Sequence, residues 1–170
     1  MAQIITDFSV PFCEICGNKY CTMIIREATI EDIDALSVLF NQYRIFYKQP
    51  SDLPGAKQFL ADRINNNESI VFVALLDNKM VGFTQLYPIF SSVGMKRAWL
   101  LNDLFVAEET RGSGAADALL KAAQNMGIAT DSRWLLLQTA TTNHRAQKVY
   151  ERNGWKKDHD YFSYYFYPEK

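Results

Sequence analysis

Apolar and polar positions change period several times along this chain, and the changes outline its elements. Met23–Ala28 alternates as a strand does. Apolar residues then recur at helical spacing at Ile33, Leu36, Leu39, Phe40, Tyr43 and Phe46, after the capping candidate Thr29. Pro50 is expected to end that helix, because the residue before a proline disfavours helical geometry.

A second helix and three strands follow in the pattern. Ser51 or Asp52 can cap the helix, which carries Phe59, Leu60 and Ile64 on its inner face and closes at residues 65–67. The strands are predicted at Ser69–Leu76, Met80–Tyr87 and Arg97–Val106, the first two joined by a hairpin turn at residues 77–79. Gly82 inside the second strand indicates a bulge or a close backbone approach.

The rest of the chain continues the alternation of helix and strand. A helix is predicted over Gly112–Met126 with Gly127 as its C-cap, then a strand over Trp134–Thr139. Thr142 or Asn143 caps a last helix, which runs through Tyr150–Arg152 and ends at residues 153–154. The alternating aromatic segment 155–167 is predicted to add one or two strands. The order β-α-α-β-β-β-α-β-α-β indicates an α/β class with a mixed sheet.

Composition restricts the possible partners. The chain has 170 residues, 48% of them apolar, which favours one domain with a substantial core. A formal net charge of -1 gives no general attraction for nucleic acid. No apolar run approaches the roughly 20 residues that span a bilayer, and no secretory signal is evident. We therefore expect no membrane partner and a cytoplasmic location.

All three cysteines, Cys13, Cys16 and Cys21, lie near the start of the chain. Cys13 and Cys16 have a metal-type or redox-type spacing, but a closed zinc site needs four ligands and both histidines are distant, so we expect no metal. Residues 1–22 lack a clear period. We interpret them as an N-terminal extension, flexible or non-native, before a domain at 23–170 with a translation start at Met23.

The run Arg111-Gly112-Ser113-Gly114-Ala115-Ala116 lies between a strand and a helix. A helix start leaves backbone N–H groups unpaired and carries partial positive charge, and glycines let a phosphate approach the backbone. The run is not a P-loop, since no Gly-Lys-Ser/Thr follows, and it lacks the three spaced glycines of a dinucleotide site. It predicts a pyrophosphate site.

A second constellation begins at Asn143, which can cap a helix and also offer its amide to a ligand. Tyr150 lies two helical turns further along the same face. A tyrosine there is ordinarily a core residue with its hydroxyl at a rim.

Taken together, the two constellations resemble the GNAT superfamily of N-acetyltransferases. Its Arg/Gln-x-x-Gly-x-Gly/Ala pattern matches residues 111–116, and its second motif matches residues 143–155, in the expected order. The resemblance implies a mostly antiparallel central sheet, splayed after the fourth strand and flanked by about four helices. Residues 81–83, 100–106 and 143–146 are most similar to the diamine/polyamine (spermidine/spermine-type) and histone/polyamine-acetylating branch.

The resemblance also implies acetyl-CoA as donor, a primary amine as acceptor and a homodimer. Backbone groups of Leu104, Phe105 and Val106 would hold the pantetheine arm, and one of their N–H groups would meet the oxyanion. The pyrophosphate would be held by Arg111, Gly112, Ser113, Gly114, Ala115 and Ala116, with Asn143 and Ala146 touching the cosubstrate from the last helix. Tyr150 would protonate the departing thiolate.

The acceptor side leaves alternatives open. Asp103 is either a base acting through water, an electrostatic partner for an ammonium, or a structural acceptor. Asn102 stands where polyamine acetyltransferases often have glutamate. Tyr43, Phe46, Tyr47 and Lys48 would form the acceptor wall, whose aromatic rings suit an alkylammonium.

Three functions therefore compete: acetylation of a small amine (a diamine, a polyamine or an amino-acid side chain), acetylation of a protein lysine or N-terminus, and non-catalytic sensing of acyl-CoA.

Overall fold

The computed structural model describes residues 6–11 and 20–168, with side chains from residue 22 onward. The chain divides into two units, Met1–Gln138 and Thr139–Lys170.

The first unit is built on a six-stranded sheet whose strands lie side by side in chain order. The strands are β1 (Thr6–Pro11), β2 (Tyr20–Glu27), β3 (Ile70–Leu76), β4 (Lys79–Ser91), β5 (Lys96–Val106) and β6 (Leu135–Leu137). Neighbouring strands from β1 to β5 are antiparallel, and β6 runs parallel to β5. The predicted mixed, mostly antiparallel sheet is confirmed.

Four α-helices lie in the described part of the chain: α1 (Ile33–Phe46), α2 (Leu53–Asn65), α3 (Ala115–Ala129) and α4 (His144–Arg152). Two 3-10 turns, Ile30–Asp32 and Glu108–Thr110, precede α1 and α3. Asp52 caps α2 by accepting a 2.9 Å hydrogen bond from the amide of Gly55. α1 ends at Phe46, before Pro50 is reached, and Lys48 then adopts a φ of 62°.

Helices cover both faces of this sheet. α1 and α2 cover one face, where Leu36, Leu60 and Val73 are fully buried in a shared apolar cluster. On the other face α3 buries Leu119 and Leu120 against the strands. The central strands are therefore apolar on both sides, so a polar side chain among them is unusual and needs a reason.

Local turn chemistry agrees with the sequence predictions. Asp77 and Asn78 have φ values of 48° and 65°, which join β3 to β4 as a two-residue hairpin turn requires. A Cβ atom on Gly82 would lie 2.8 Å from the carbonyl oxygen of Phe105, and the β3–β4 register shifts beside it. The prediction of a bulge or close approach at Gly82 is confirmed.

Several boundaries were predicted wrongly. α3 begins at Ala115 rather than at Gly112, and Gly127 lies inside it rather than at its C-cap. A Cβ atom at residue 127 would come 2.3 Å from Cδ1 of Leu135, so a close packing contact explains this glycine. β6 has three residues instead of the six expected from 134 to 139.

The second unit contains α4 and the aromatic tail. Gly154, at a φ of 82°, follows the helix as expected. Residues 155–168 form no strand in the described chain, so the prediction of one or two tail strands is wrong. The aromatic residues from Tyr161 to Tyr167 are exposed.

The N-terminal region contributes one strand to the sheet. β1 pairs with β2 in the register Thr6↔Ile25 to Pro11↔Tyr20. Cys13 and Cys16 lie outside the described residues. A domain boundary at residue 22 stays a prediction.

Candidate active site

A bulge on β5 places one carboxyl inside the protein. Gln85 of β4 pairs with Asp103, whereas the next residue, Leu86, pairs with Leu101, so Asn102 is the extra residue. Asp103 is 4% exposed and lies on the same face as Phe105 and the α1–α2 core. Because a bulge reverses which residues face inward, it turns an acidic side chain toward the interior.

Burial raises the pKa of Asp103, because desolvation disfavours the charged form. Side-chain hydrogen bonds from Tyr43 and Asn102 act in the opposite direction. The Asn102 Nδ2 atom donates to Asp103 Oδ1 at 3.1 Å. Asn102 is itself exposed. It stands at the position where the resemblance leads one to expect a glutamate, and its amide donates to the Asp103 carboxyl.

A series of aromatic rings from α1 and its C-cap begins at Tyr43, which donates a hydrogen bond to the Asp103 carboxyl. The ring of Tyr43 packs edge-on against Phe83 and Phe105, with centroid distances of 6.0 and 6.1 Å. Tyr47 packs edge-on against Tyr43 at 5.0 Å, and Phe46 against Tyr47 at 5.2 Å. The series of rings thus extends from Tyr43, beside the buried Asp103, to the exposed Phe46 and Tyr47 at the end of α1, after which Lys48 follows.

A set of polar residues that sequence reasoning missed lies beside Asp103. Gln85 is 0% exposed and donates from Nε2 to Ser69 Oγ at 2.7 Å, while its Oε1 has no hydrogen-bond partner. Burial, then the charge of Asp103, raises the pKa of Tyr87 to about 12. The sequence signal for Gln85 is a glutamine between Phe83 and Leu86 in a mostly apolar strand.

The strand edge next to Asp103 is available for a ligand. β6 pairs only with Trp99, Leu100 and Leu101. Beyond that point, Leu104–Val106 have β4 as a partner on one side, and no described strand on the other. This separation of the strands after β5 agrees with the splayed sheet that the resemblance implied, since β5 is the fourth strand counted from β2.

The glycine run forms an open turn before α3. Gly112 and Gly114 adopt φ values of 94° and 86°, and a Cβ atom at either would meet nothing within 4 Å. Gly114 is the N-cap residue of α3. Positive φ therefore requires these glycines, and the space beside the helix start is unfilled by the residues of the loop.

Other side chains of the run hold the loop in place. The Arg111 Nε atom donates to the carbonyl oxygen of Val106 at 3.4 Å, and its guanidinium lies 3.5 Å from Glu108. The buried Ser113 hydroxyl accepts from the amide of Ala115 at 3.4 Å. Arg111 thus connects the loop to the end of β5, which links the two segments predicted to hold the cosubstrate.

The second unit holds the other predicted residues. Asn143 caps α4 by accepting from the amide of Ala146 at 3.2 Å. Tyr150 lies seven residues later on the same helix face and is half-buried. Its backbone carbonyl accepts from the amide of Trp155 at 3.1 Å, which closes the helix end.

The described residues lack two features that would point to other functions, a metal-binding cluster and a membrane-spanning helix. Residues 6–11 and 20–168 contain no group of three or more His, Cys, Asp or Glu side chains arranged to hold a metal ion. Within the same part of the chain, no helix has the length and hydropathy required to cross a bilayer.

Comparison with known proteins agrees with this geometry. The chain is 46% identical over 142 residues to "Uncharacterized N-acetyltransferase YhfO" of Bacillus subtilis (strain 168), covering 84% of this chain and 95% of that one. It is 32% identical over 126 residues to a "Probable acetyltransferase" of Haemophilus influenzae (strain ATCC 51907 / DSM 11121 / KW20 / Rd), covering 74% and 84%.

Solved structures show the same fold. A crystal structure of a probable acetyltransferase is 40% identical and superposes with a TM-score of 0.82, covering 86% of this chain and 98% of that one. An aminoglycoside N-acetyltransferase in complex with CoA is 21% identical, with a TM-score of 0.69 over 85% and 94% of the two chains. The sequence pattern of the "Acetyltransferase (GNAT) family" matches residues 34–155. The chain belongs to that family and is an N-acetyltransferase.

Proposed function

We propose that this protein transfers the acetyl group of acetyl-CoA to a small primary amine. The observation that carries the proposal is the position of Asp103: a buried carboxyl lies on β5 directly before Leu104–Val106, the segment whose outer edge lacks a strand. One strand would therefore bring the donor and a proton acceptor together.

The donor site fits acetyl-CoA in three respects. The edge of Leu104–Val106 that pairs with no described strand can accept an extended pantetheine arm as an added strand does. The turn at Gly112 and Gly114 leaves open space at the N-terminus of α3, where a pyrophosphate would receive backbone N–H groups. The match to the second family motif further implies that Asn143 and Ala146 touch the cosubstrate.

On the acceptor side, Asp103 acts as the base through a water molecule. An alkylamine with a pKa near 10 is mostly protonated at neutral pH, so one proton must leave before nitrogen can attack the thioester. Burial raises the pKa of the Asp103 carboxyl, which makes it a better base than an exposed aspartate. An N–H group of Leu104–Val106 receives the developing oxyanion.

Departure of the thiolate is assisted by Tyr150. A free thiol has a pKa near 8.5, so its anion leaves more readily when a phenol donates a proton to sulfur. This assignment rests on the match of Tyr150 to the family's donor position at the end of the Asn143 motif. Nitrogen thus gives its first proton to Asp103, and its second proton restores the phenol of Tyr150 after that phenol has protonated the leaving sulfur.

The environment of Asp103 favours a small amine as acceptor. Tyr43 and Tyr47 are aromatic residues, whose ring faces attract an alkylammonium, and Asp103 supplies one negative charge. Glu68, a second carboxylate whose charge acts on Tyr87, is ion-paired with Arg63. A diamine or an amino-acid side-chain amine therefore suits the site better than a long polycation.

The test is a CoA-release assay over diamines, polyamines, thialysine-like amino acids and short lysine peptides. We expect turnover with small amines, and a loss of 10²-fold or more in kcat/KM for Asp103→Asn, the usual cost of a missing base. Tyr150→Phe should lower kcat, whereas the exposed Tyr161→Phe serves as a matched control and should not.

Three outcomes would contradict the proposal. Turnover restricted to peptides would favour a protein acetyltransferase. Tight acetyl-CoA binding without turnover of any amine would favour a sensor. Full activity of Tyr150→Phe would remove the assigned proton donor.

A further inference from the structure

Two buried groups that can only accept hydrogen bonds, the Gln85 amide oxygen and the ionised Asp103 carboxylate, belong to paired residues of β4 and β5. Gln85 and Asp103 are direct cross-strand partners, so their Cα atoms lie about 4.5–5.5 Å apart and their side chains share a face. An amide oxygen accepts only, and so does an ionised carboxylate. A proton placed between them would satisfy both groups.

The Gln85 amide is held at its other end by Ser69. Its Nε2 donates to Ser69 Oγ at 2.7 Å, in a position where both residues are buried. The amide oxygen is consequently directed away from Ser69 and has no donor, although the residue is 0% exposed. Leaving a buried acceptor unsatisfied costs about 1–3 kcal/mol, so an unused amide oxygen here needs an explanation.

We propose that Gln85 is a positioning residue: its Oε1 accepts a hydrogen bond from the Asp103 carboxyl once that carboxyl has taken a proton from the acceptor amine. This inference rests on the proposed function, in which Asp103 is the base.

The proton balance of the step is simple. The ammonium N–H bond breaks and an O–H bond forms on Asp103, with a water molecule carrying the proton between them. The new O–H group donates to Gln85 Oε1, which forms no covalent bond. After acetyl transfer, Asp103 releases this proton to solvent, which accounts for the net proton that amine acetylation produces.

Two phenols also act on Asp103, and each carries a proton that it can donate, whereas the amide oxygen of Gln85 can only accept. From α1, Tyr43 donates to the carboxyl. From β4, Tyr87 keeps its phenolic proton, with its pKa raised to about 12 by burial and then by the charge of Asp103. Arg63 and Glu68 act on Tyr87 with opposite signs and form an ion pair. Gln85 is therefore the buried side chain near Asp103 whose acceptor atom lacks a donor among the described residues.

The experiment follows the Asp103 carboxyl directly by ¹³C NMR in protein labelled at aspartate Cγ, with Asp103→Asn to assign the signal. Gln85→Met removes the acceptor at similar size. Gln85→Glu places a second carboxyl opposite the first. Thr84→Val is the matched control. It removes one hydrogen bond of a fully buried residue, from Thr84 Oγ1 to the Asp103 carbonyl oxygen at 2.8 Å. The Thr84 side chain lies on the other face of the sheet, away from the Asp103 carboxyl.

We expect the titration midpoint of Asp103 to fall by about one pH unit in Gln85→Met, since the protonated form loses its acceptor. It should rise in Gln85→Glu, because two carboxyls then share one proton, and it should stay in place in Thr84→Val. The acidic limb of kcat/KM should move with the midpoint.

An unchanged or higher midpoint in Gln85→Met would overturn the inference, and a higher one would mean that the amide donates to the carboxylate instead. The absence of any rise in Gln85→Glu would show that the two side chains do not face each other. The NMR titration needs no substrate, so a wild-type protein that acetylates no amine would defeat the proposed function and still leave this inference tested.

Discussion

Replacing Gly114 by alanine separates the backbone role of the glycine turn from its role in binding. Gly114 has a φ of 86° and open space at the Cβ position, so alanine would create strain without a clash. Left-handed geometry destabilises a residue with a side chain by about 1–2 kcal/mol. Alanine also reduces the freedom of the unfolded chain, which stabilises the protein by about 0.4–1 kcal/mol, so the free energy of unfolding should fall by about 1 kcal/mol.

Two measurements test this reasoning. The net loss should lower the melting temperature by about 2–4 °C for a chain of this size. In calorimetric titration, Gly114→Ala should bind acetyl-CoA at least about fivefold more weakly, because the methyl group enters the space proposed for the pyrophosphate and each 1.4 kcal/mol is tenfold in Kd.

Gly154 provides the matched control. It has nearly the same backbone conformation, a φ of 82°, and equally open space, but it follows α4 rather than preceding α3. Gly154→Ala should therefore lose similar stability and keep its affinity for acetyl-CoA. If both variants bind equally, or if Gly114→Ala melts like the wild type, the argument from positive φ and open space is refuted.

Three further predictions concern stability. Asp32→Asn should lower the free energy of unfolding by about 2 kcal/mol at pH 7, because Asp32 accepts two 2.6 Å hydrogen bonds from Arg26. These bonds hold the pKa of Asp32 low, so their stabilisation is complete above the unfolded-state pKa near 4 and is lost as pH falls through the folded-state pKa. Urea denaturation should therefore show the stabilities of wild type and variant converging in acid. Gly127→Ala should lower the melting temperature despite a gain of about 1 kcal/mol in helix propensity, because the alanine Cβ would overlap the side chain of Leu135. The same substitution in a Leu135→Ala background should be tolerated. Asp52→Ala should lose about 1 kcal/mol of unfolding free energy in denaturant titration, and Asp52→Asn should retain most of it, because both Asp and Asn cap helices well.

Features governed by neighbouring residues could be predicted from the sequence. The helical period of α1, the hairpin turn at residues 77–78 and the cap at Asn143 each depend on contacts within a few positions. The glycine run was recognised for the same reason, since positive φ at Gly112 and Gly114 is a local property.

Errors arose where a distant residue decided the outcome. Gly127 has the position of a helix cap in the sequence, but the close approach of Leu135 from β6 explains it. The alternating aromatic tail has a strand-like period, yet a strand also needs a partner edge, and residues 155–168 have none in the described chain.

The sequence by itself determined most of the elements between residues 23 and 154 and the two motifs by which the chain resembles its family, because helix periods, turns and glycine conformations are set by residues close together in the chain. Only the tertiary structure decided that Asp103 faces inward and stands opposite Gln85. That pairing depends on the β4–β5 register and on the bulge at Asn102, and a shift of one residue would turn the carboxyl to the other face.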